Sequence, residues 1–170
     1  MQKYHIVSRV FHWLMAALII VNLALGLYMI DLATDNKYDF YNFHKSIGVL
    51  VILLLLPRII TRLIKKAPSY ELTLPNWQLI AAKITHFSLY ILMITVATSG
   101  YLMSSFYGYP VKLFGLTIPN LVWKDTDLGA IASQTHTISS YILITLVALH
   151  IAAVIKHHLK GEKEILKRMT

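Results

Sequence analysis

The chain has 170 residues, of which 56% are hydrophobic and 14% charged, and its mean hydropathy is +0.60. This composition excludes an ordinary soluble domain and indicates a protein that lies mostly in lipid. The net charge of +8 is explained by lysines and arginines placed on one side of a membrane, so nucleic-acid binding is not predicted. Cysteine is absent, which excludes disulfides, thiolate-held iron–sulfur clusters and covalent haem attachment.

Four apolar stretches are long enough to cross a bilayer, which takes about twenty residues. In chain order they cover residues 10–32, 43–64, 79–103 and 136–158. The sequence therefore predicts an all-α integral membrane protein, a four-transmembrane-helix bundle that forms one domain over residues 1–170. The longest connection, 104–135, is rich in aromatic residues and is predicted to lie over the outer mouth of the bundle. Both termini fall on the side rich in lysine and arginine, which predicts that both are cytoplasmic.

Histidines occur at two depths in these predicted helices. The last helix carries His136 and His150, and fourteen helical residues advance by about 21 Å while returning to within about 40° of the same face. His44 is level with His136 in an outer layer, while His12 and His86 are level with His150 in an inner layer. Ionisable residues inside a membrane are costly and mark function.

Two layers of histidines predict two irons, each held by two imidazoles, with one histidine left over. The outer pair is His44 and His136. The inner iron takes His150 and either His12 or His86, because depth alone does not decide between them. Without cysteine, the cofactors are predicted to be two non-covalent b haems.

The same interval of fourteen residues recurs on the other three helices. It leads from His12 to Gly26, from His44 to Arg58, and from His86 to Gly100. A glycine lets a flat macrocycle approach the helix backbone, and an arginine can pair with haem propionates. The four intervals together favour a bundle that holds two stacked haems.

These residues resemble the bacterial di-haem cytochrome b561 family, whose best understood type is a superoxide oxidase that reduces ubiquinone. The matching pieces are Phe11-His12-Trp13, Phe43-His44-Lys45-Ser46-Ile47-Gly48, Arg58, His86 with Leu89-Tyr90, Gly100, residues 114–119, His136, His150 with Ala152-Ala153, His157-His158 and Leu166-Lys167-Arg168-Met169. The chain departs from the family pattern at Lys83, Ala97 and Thr137, where a histidine, a proline and a glutamate are usual.

The resemblance implies that His12 pairs with His150 on the inner haem and His44 with His136 on the outer one. It leaves His86 free of iron, to serve a quinone, a proton path or a structural hydrogen bond. The candidate contacts to a propionate or a quinone are Arg9, Trp13, Lys45, Arg58 and His86. The candidates for packing against haem are Gly26, Gly48 and Gly100.

The predicted function is electron transfer to or from the quinone pool of a respiratory chain in the bacterial inner membrane. The specific hypothesis is an oxidoreductase that oxidises superoxide and reduces bound ubiquinone, with membrane lipids, quinone and superoxide or a redox protein as partners. One alternative is a cytochrome b subunit that relays electrons for a hydrogenase or dehydrogenase. A second is a haem-free membrane transporter with proton-relay histidines.

Overall fold

The structure is a computed structural model that describes residues 3–30, 37–65, 68 and 74–170. Within these residues there are five helices, α1 (Ile6–Tyr28), α2 (Lys37–Ile64), α3 (Asn76–Phe106), α4 (Thr126–Leu159) and α5 (Glu164–Lys167). Two short strands, β1 (Val111–Leu113) and β2 (Leu116–Ile118), lie between α3 and α4. The first four helices are long and apolar enough to cross a membrane, which confirms the predicted four-helix membrane fold.

The four long helices run up and down in sequence. α3 packs most extensively against α4, α1 packs against α2, and contacts between α2 and α3 join the two pairs. We call the end of the bundle that carries residues 3 and 170 the terminal end, and the opposite end the hairpin end. Large apolar side chains stay exposed on the outer faces of the helices, as expected for surfaces that meet lipid; examples are Ile20, Leu53, Phe87 and Tyr141.

α2, α3 and α4 are longer than the apolar stretches that predict them, because hydropathy detects only the part inside lipid. α4 begins at Thr126, ten residues before the predicted start, and its 34 residues are several more than the roughly twenty needed for a crossing. The carboxylate of Asp125 caps this start by accepting hydrogen bonds from the amides of Asp127 and Leu128, both at 3.0 Å. α1 begins at Ile6 and ends at Tyr28, and residues 31 and 32 of its predicted range lie outside the described residues.

The connection predicted over 104–135 is therefore shorter, and the structure confines it to residues 107–125. Its centre is an antiparallel hairpin in which Val111 pairs with Ile118 and Leu113 with Leu116. The two turn residues, Phe114 and Gly115, have φ angles of 46° and 98°. Positive φ at both positions is the geometry of a two-residue turn whose twist matches that of the strands.

The hairpin is attached to α2 through Ser46, which is 3% exposed. The Ser46 hydroxyl lies 2.9 Å from the carbonyl oxygen of Lys112 and accepts a hydrogen bond from the Phe114 amide at 3.1 Å. The rings of Phe43 and Phe114 also meet edge to face at 6.3 Å. These contacts hold the hairpin against the end of the bundle, where Val111 is 1% exposed.

The apolar core lies at mid-depth in the bundle. Val51, Met93 and Leu143 come seven residues after His44, His86 and His136 respectively, and all three are less than 8% exposed. Met15, Ile47 and Leu55 complete one contiguous cluster. The core is therefore a layer of packed apolar side chains between the two layers of histidines.

Candidate functional site

The outer layer brings His44 of α2 and His136 of α4 together, and we call these two residues the outer pair. Their ring centroids are 6.2 Å apart and their ring planes are nearly perpendicular, at 87°. A metal that takes one nitrogen from each imidazole at the usual distance of about 2 Å needs ring centroids about 6 Å apart. The spacing of the outer pair therefore fits two imidazoles that would hold one iron between them.

Hydrogen bonding at His136 also fits metal ligation. The Nδ1 of His136 lies 2.8 Å from the carbonyl oxygen of Val96, to which it donates as Nδ1–H. A histidine that donates from one ring nitrogen keeps the lone pair of the other, Nε2, for a metal. The Nδ1 of His44 is buried and makes no hydrogen bond within the described residues.

Two glycines allow the rings of the outer pair to approach the neighbouring helices. A Cβ atom on Gly100 would lie 2.9 Å from Cε1 and Nδ1 of His136, which is closer than real contacts allow. A Cβ atom on Gly26 would lie 3.4 Å from Cε1 of His44. Gly48 is less constrained, because its nearest neighbour is an Asn22 nitrogen at 3.8 Å. In this structure Gly26 and Gly100 therefore accommodate imidazoles, and their packing against haem remains a prediction.

A cavity of about 240 Å³ opens beside the outer pair. Its walls are mostly apolar and come from α1, α2 and α3, with contributions from β1 and α4. A few polar side chains converge on it: Asn22, Tyr41, Lys45, Tyr101 and Ser104. An apolar cavity with two facing imidazoles and few polar groups suits a flat, largely hydrophobic cofactor.

The inner layer contains four side chains that we call the inner cluster: His12, Arg58, His86 and His150. The rings of His86 and His150 are 5.4 Å apart and inclined at 68°. The Arg58 guanidinium donates to Nδ1 of His12 at 2.9 Å, to the Phe11 carbonyl at 3.3 Å and to the Tyr90 hydroxyl at 3.2 Å. Arg58 thus points into the bundle instead of extending towards the terminal end beside Arg62.

The contact between Arg58 and His12 determines where His12 carries its proton. A guanidinium has donors only, so Nδ1 of His12 must accept, and a neutral ring then has its hydrogen on Nε2. In this arrangement Nε2 offers no lone pair to iron, so ligation through it requires Arg58 to release the ring. The pairing of His12 with His150 stays a prediction.

The five candidate contacts to a propionate or a quinone do not gather at one place. Arg58 and His86 belong to the inner cluster, whereas the Lys45 ammonium lies at the hairpin end, 3.4 Å from the Pro110 carbonyl. Arg9 donates to the backbone oxygen of Thr170, and the Trp13 indole donates to the Met169 carbonyl at 2.8 Å. Arg9 and Trp13 are therefore engaged by the last residues of the chain.

Sequence reasoning assigned no role to several polar side chains at these sites, among them Tyr90 and Asn22. Tyr90 holds Arg58, and its position four residues after His86 places both on one face of α3. Asn22 lines the cavity at the outer pair. The signal for Asn22 was its polar amide inside an apolar stretch, which in a membrane helix indicates function or a structural hydrogen bond.

No group of three or more histidine, cysteine or acidic side chains in the described ranges is placed to hold a bare metal ion. A haem iron needs only two protein ligands on its axis, since the macrocycle supplies the other four. The outer pair meets that requirement by its spacing and by the fixed tautomer of His136.

Comparison with known proteins covers almost the whole chain. A family model described as prokaryotic cytochrome b561 matches residues 3–170. Cytochrome b561 homolog 2 of Escherichia coli (strain K12) is 32% identical over 181 aligned residues, which cover 99% of this chain and 91% of that protein. Cytochrome b561 homolog 1 of the same organism is 26% identical over 126 residues, or 74% of this chain and 72% of that protein. The family match includes all five histidines of the two layers.

Proposed function

Because the chain belongs to the prokaryotic cytochrome b561 family, a family of membrane electron-transfer proteins that bind b-type haem, we propose that it holds two b haems and exchanges electrons with the quinone pool of the bacterial inner membrane. The observation that carries this proposal is the outer pair, with ring centroids 6.2 Å apart and the His136 tautomer fixed by Val96. The inner cluster supplies the second site, through His150 and one of its two histidine neighbours.

Haem supplies a reversible one-electron change at its iron when it is bound. His44 and His136 would both hold the iron, and an iron held by two imidazoles would favour electron relay over oxygen binding. The Val96 carbonyl keeps the proton of His136 on Nδ1, and the walls of the cavity are mostly apolar. The protein thereby controls the position of the haem, the ligands of its iron and the polarity of its surroundings, while the haem supplies the redox chemistry.

The specific reaction that we propose is oxidation of superoxide with reduction of ubiquinone. Two superoxide anions each lose one electron and become dioxygen, and one quinone gains two electrons and two protons to become the quinol. Lys45 of α2 lines the cavity beside His44. Lys112 and Lys124 lie in the connection between α3 and α4, also at the hairpin end. Cationic side chains around a mouth raise the local concentration of an anionic substrate.

The test is a stopped-flow experiment in which superoxide is pulsed onto the oxidised protein with and without a soluble ubiquinone. We expect the haem bands to show reduction, followed by reoxidation only when quinone is present. Lys45→Gln should slow the first phase most at low ionic strength, whereas Lys160→Gln at the terminal end should not.

Reduction by a dithiol or a partner protein but not by superoxide would refute the specific reaction and favour relay for a hydrogenase or dehydrogenase. A protein without a reduced-minus-oxidised haem spectrum would refute the cytochrome proposal as a whole and favour the transporter interpretation.

A further inference from the structure

The last residues of the chain lie across the beginning of α1 at the terminal end. The amide of Tyr4 donates to the Arg168 carbonyl at 3.1 Å, and the Arg168 guanidinium donates to the Pro68 carbonyl at 2.5 Å. The Tyr4 ring lies between two guanidinium groups, with that of Arg62 at 4.8 Å and that of Arg168 at 5.6 Å from its centroid. Arg168 is 5% exposed, whereas Tyr4, Arg62 and Pro68 are half-buried.

Two side chains of α1 continue the attachment along residues 168–170, which we call the end segment. The Trp13 indole donates to the Met169 carbonyl at 2.8 Å, and both Arg9 and Lys3 donate to the backbone oxygen of Thr170. Residues 9 and 13 lie one helical turn apart on one face of α1, which is why both reach the same segment.

The Trp13 ring also touches the inner cluster. It meets the ring of its neighbour His12 edge to face, with centroids 5.3 Å apart and planes inclined at 68°. An indole has a single donor and no acceptor, so Trp13 cannot donate to Met169 and to a propionate or a quinone at the same time. The described contacts therefore fit a residue that supports the histidine better than one that binds a ligand.

We propose that Trp13 is a positioning residue, which links the end segment to His12 and thereby sets the orientation of that imidazole in the inner cluster. His12 is then fixed from two sides, by Arg58 at Nδ1 and by Trp13 at the ring edge. When Arg58 releases Nδ1, as ligation through Nε2 requires, the contact with Trp13 still limits rotation of the ring. This role rests on the proposed function to the extent that His12 serves a haem.

The test uses Trp13→Phe, which removes the indole N–H and keeps an aromatic ring, in the full haem-loaded chain. Trp123→Phe is the matched control, because Trp123 is 74% exposed in the connection at the hairpin end. Arg168→Gln loosens the end segment without altering α1. One measurement is hydrogen–deuterium exchange of peptides covering residues 1–14 and 160–170, which does not depend on haem. The other is the g-values of each low-spin haem, which respond to the orientation of the axial imidazoles.

We expect Trp13→Phe and Arg168→Gln to speed exchange in both peptides and to shift the g-values of one haem only. Trp123→Phe should change neither. Unchanged exchange in both variants would show that the indole does not hold the end segment. Faster exchange with unchanged g-values would show that the segment is held but does not orient His12, and either result would overturn the proposal. The absence of a second haem in the unaltered protein would instead refute the proposed function, and the exchange measurement would still decide whether the end segment is attached.

Discussion

Gly100→Ala is expected to weaken haem binding at the outer pair by steric displacement of one imidazole. The added Cβ atom would lie 2.9 Å from two atoms of the His136 ring, so the ring must move. Forcing extra atoms into a packed site costs about 1 to 3 kcal/mol, and alanine recovers about 1 kcal/mol through its higher helix propensity. The larger effect is that movement of the ring breaks the hydrogen bond from Nδ1 to Val96, which is 2.8 Å long.

Loss of such a supporting hydrogen bond typically lowers metal affinity by about 10- to 100-fold. The packing cost and the gain in helix propensity partly cancel in Gly100→Ala, so loss of the hydrogen bond dominates. We therefore expect the affinity of the outer site for haem to fall by about 10- to 100-fold. Gly26→Ala should have a smaller effect, because its Cβ atom would lie 3.4 Å from His44. Gly48→Ala is the control, with its nearest atom at 3.8 Å.

The assay is the haem content of each purified variant by pyridine haemochrome, followed by titration of haem into the depleted protein. We expect haem affinity to be highest in Gly48→Ala, lower in Gly26→Ala and lowest in Gly100→Ala. If Gly100→Ala retained full affinity, or if Gly48→Ala lost as much, close packing of the glycine against His136 would not be what the site requires.

Four further outcomes follow from the two histidine layers and their supports. The purified protein should contain close to two b haems per chain, extractable by acid-acetone because no cysteine tethers them, and one or none would contradict the two-layer model. Haem content should show that His12→Ala loses the inner haem and His86→Ala retains it, and the reverse would reassign the ligand. Arg58→Leu should shift the midpoint potential of the inner haem in a redox titration, whereas Lys65→Leu, at the exposed residue that follows α2, should not. Ser46→Ala removes buried hydrogen bonds to the hairpin and should lower the free energy of unfolding by about 1 to 3 kcal/mol, measured by thermal denaturation.

The four helices and the depths of the histidines could be predicted because both depend on local periodicity. An apolar run of about twenty residues indicates a membrane helix, and a spacing of fourteen keeps two side chains on one face. The start of α4 at Thr126 was missed because the apolar run begins later. Asp125 was the available signal, since an acidic residue just before a helix commonly caps its first amides.

The β1–β2 hairpin was also missed, although its sequence carries a known signal. Two runs of three residues flank a two-residue turn that ends in Gly115. Other features depend on residues far apart in the chain and have no local signal. The donation from Trp13 to Met169 joins positions 156 residues apart, and the partners of Arg58 come from α1 and α3.

If each histidine layer holds a haem, as we propose, the packed apolar layer around Val51, Met93 and Leu143 separates the two haems, and electron transfer between them responds to the membrane voltage. Its side chains offer no hydrogen-bonding group along which a proton could hop, whereas electron tunnelling needs none. An electron moved between the two histidine layers crosses about 21 Å of a hydrocarbon core about 30 Å thick. Moving one elementary charge across the whole hydrocarbon core at 100 mV changes its free energy by about 2.3 kcal/mol. Moving it across about 21 Å of that core therefore changes its free energy by about 1.6 kcal/mol. In an energised vesicle, the same redox step would therefore run faster in one direction than in the other, and collapsing the potential with an ionophore would remove the difference.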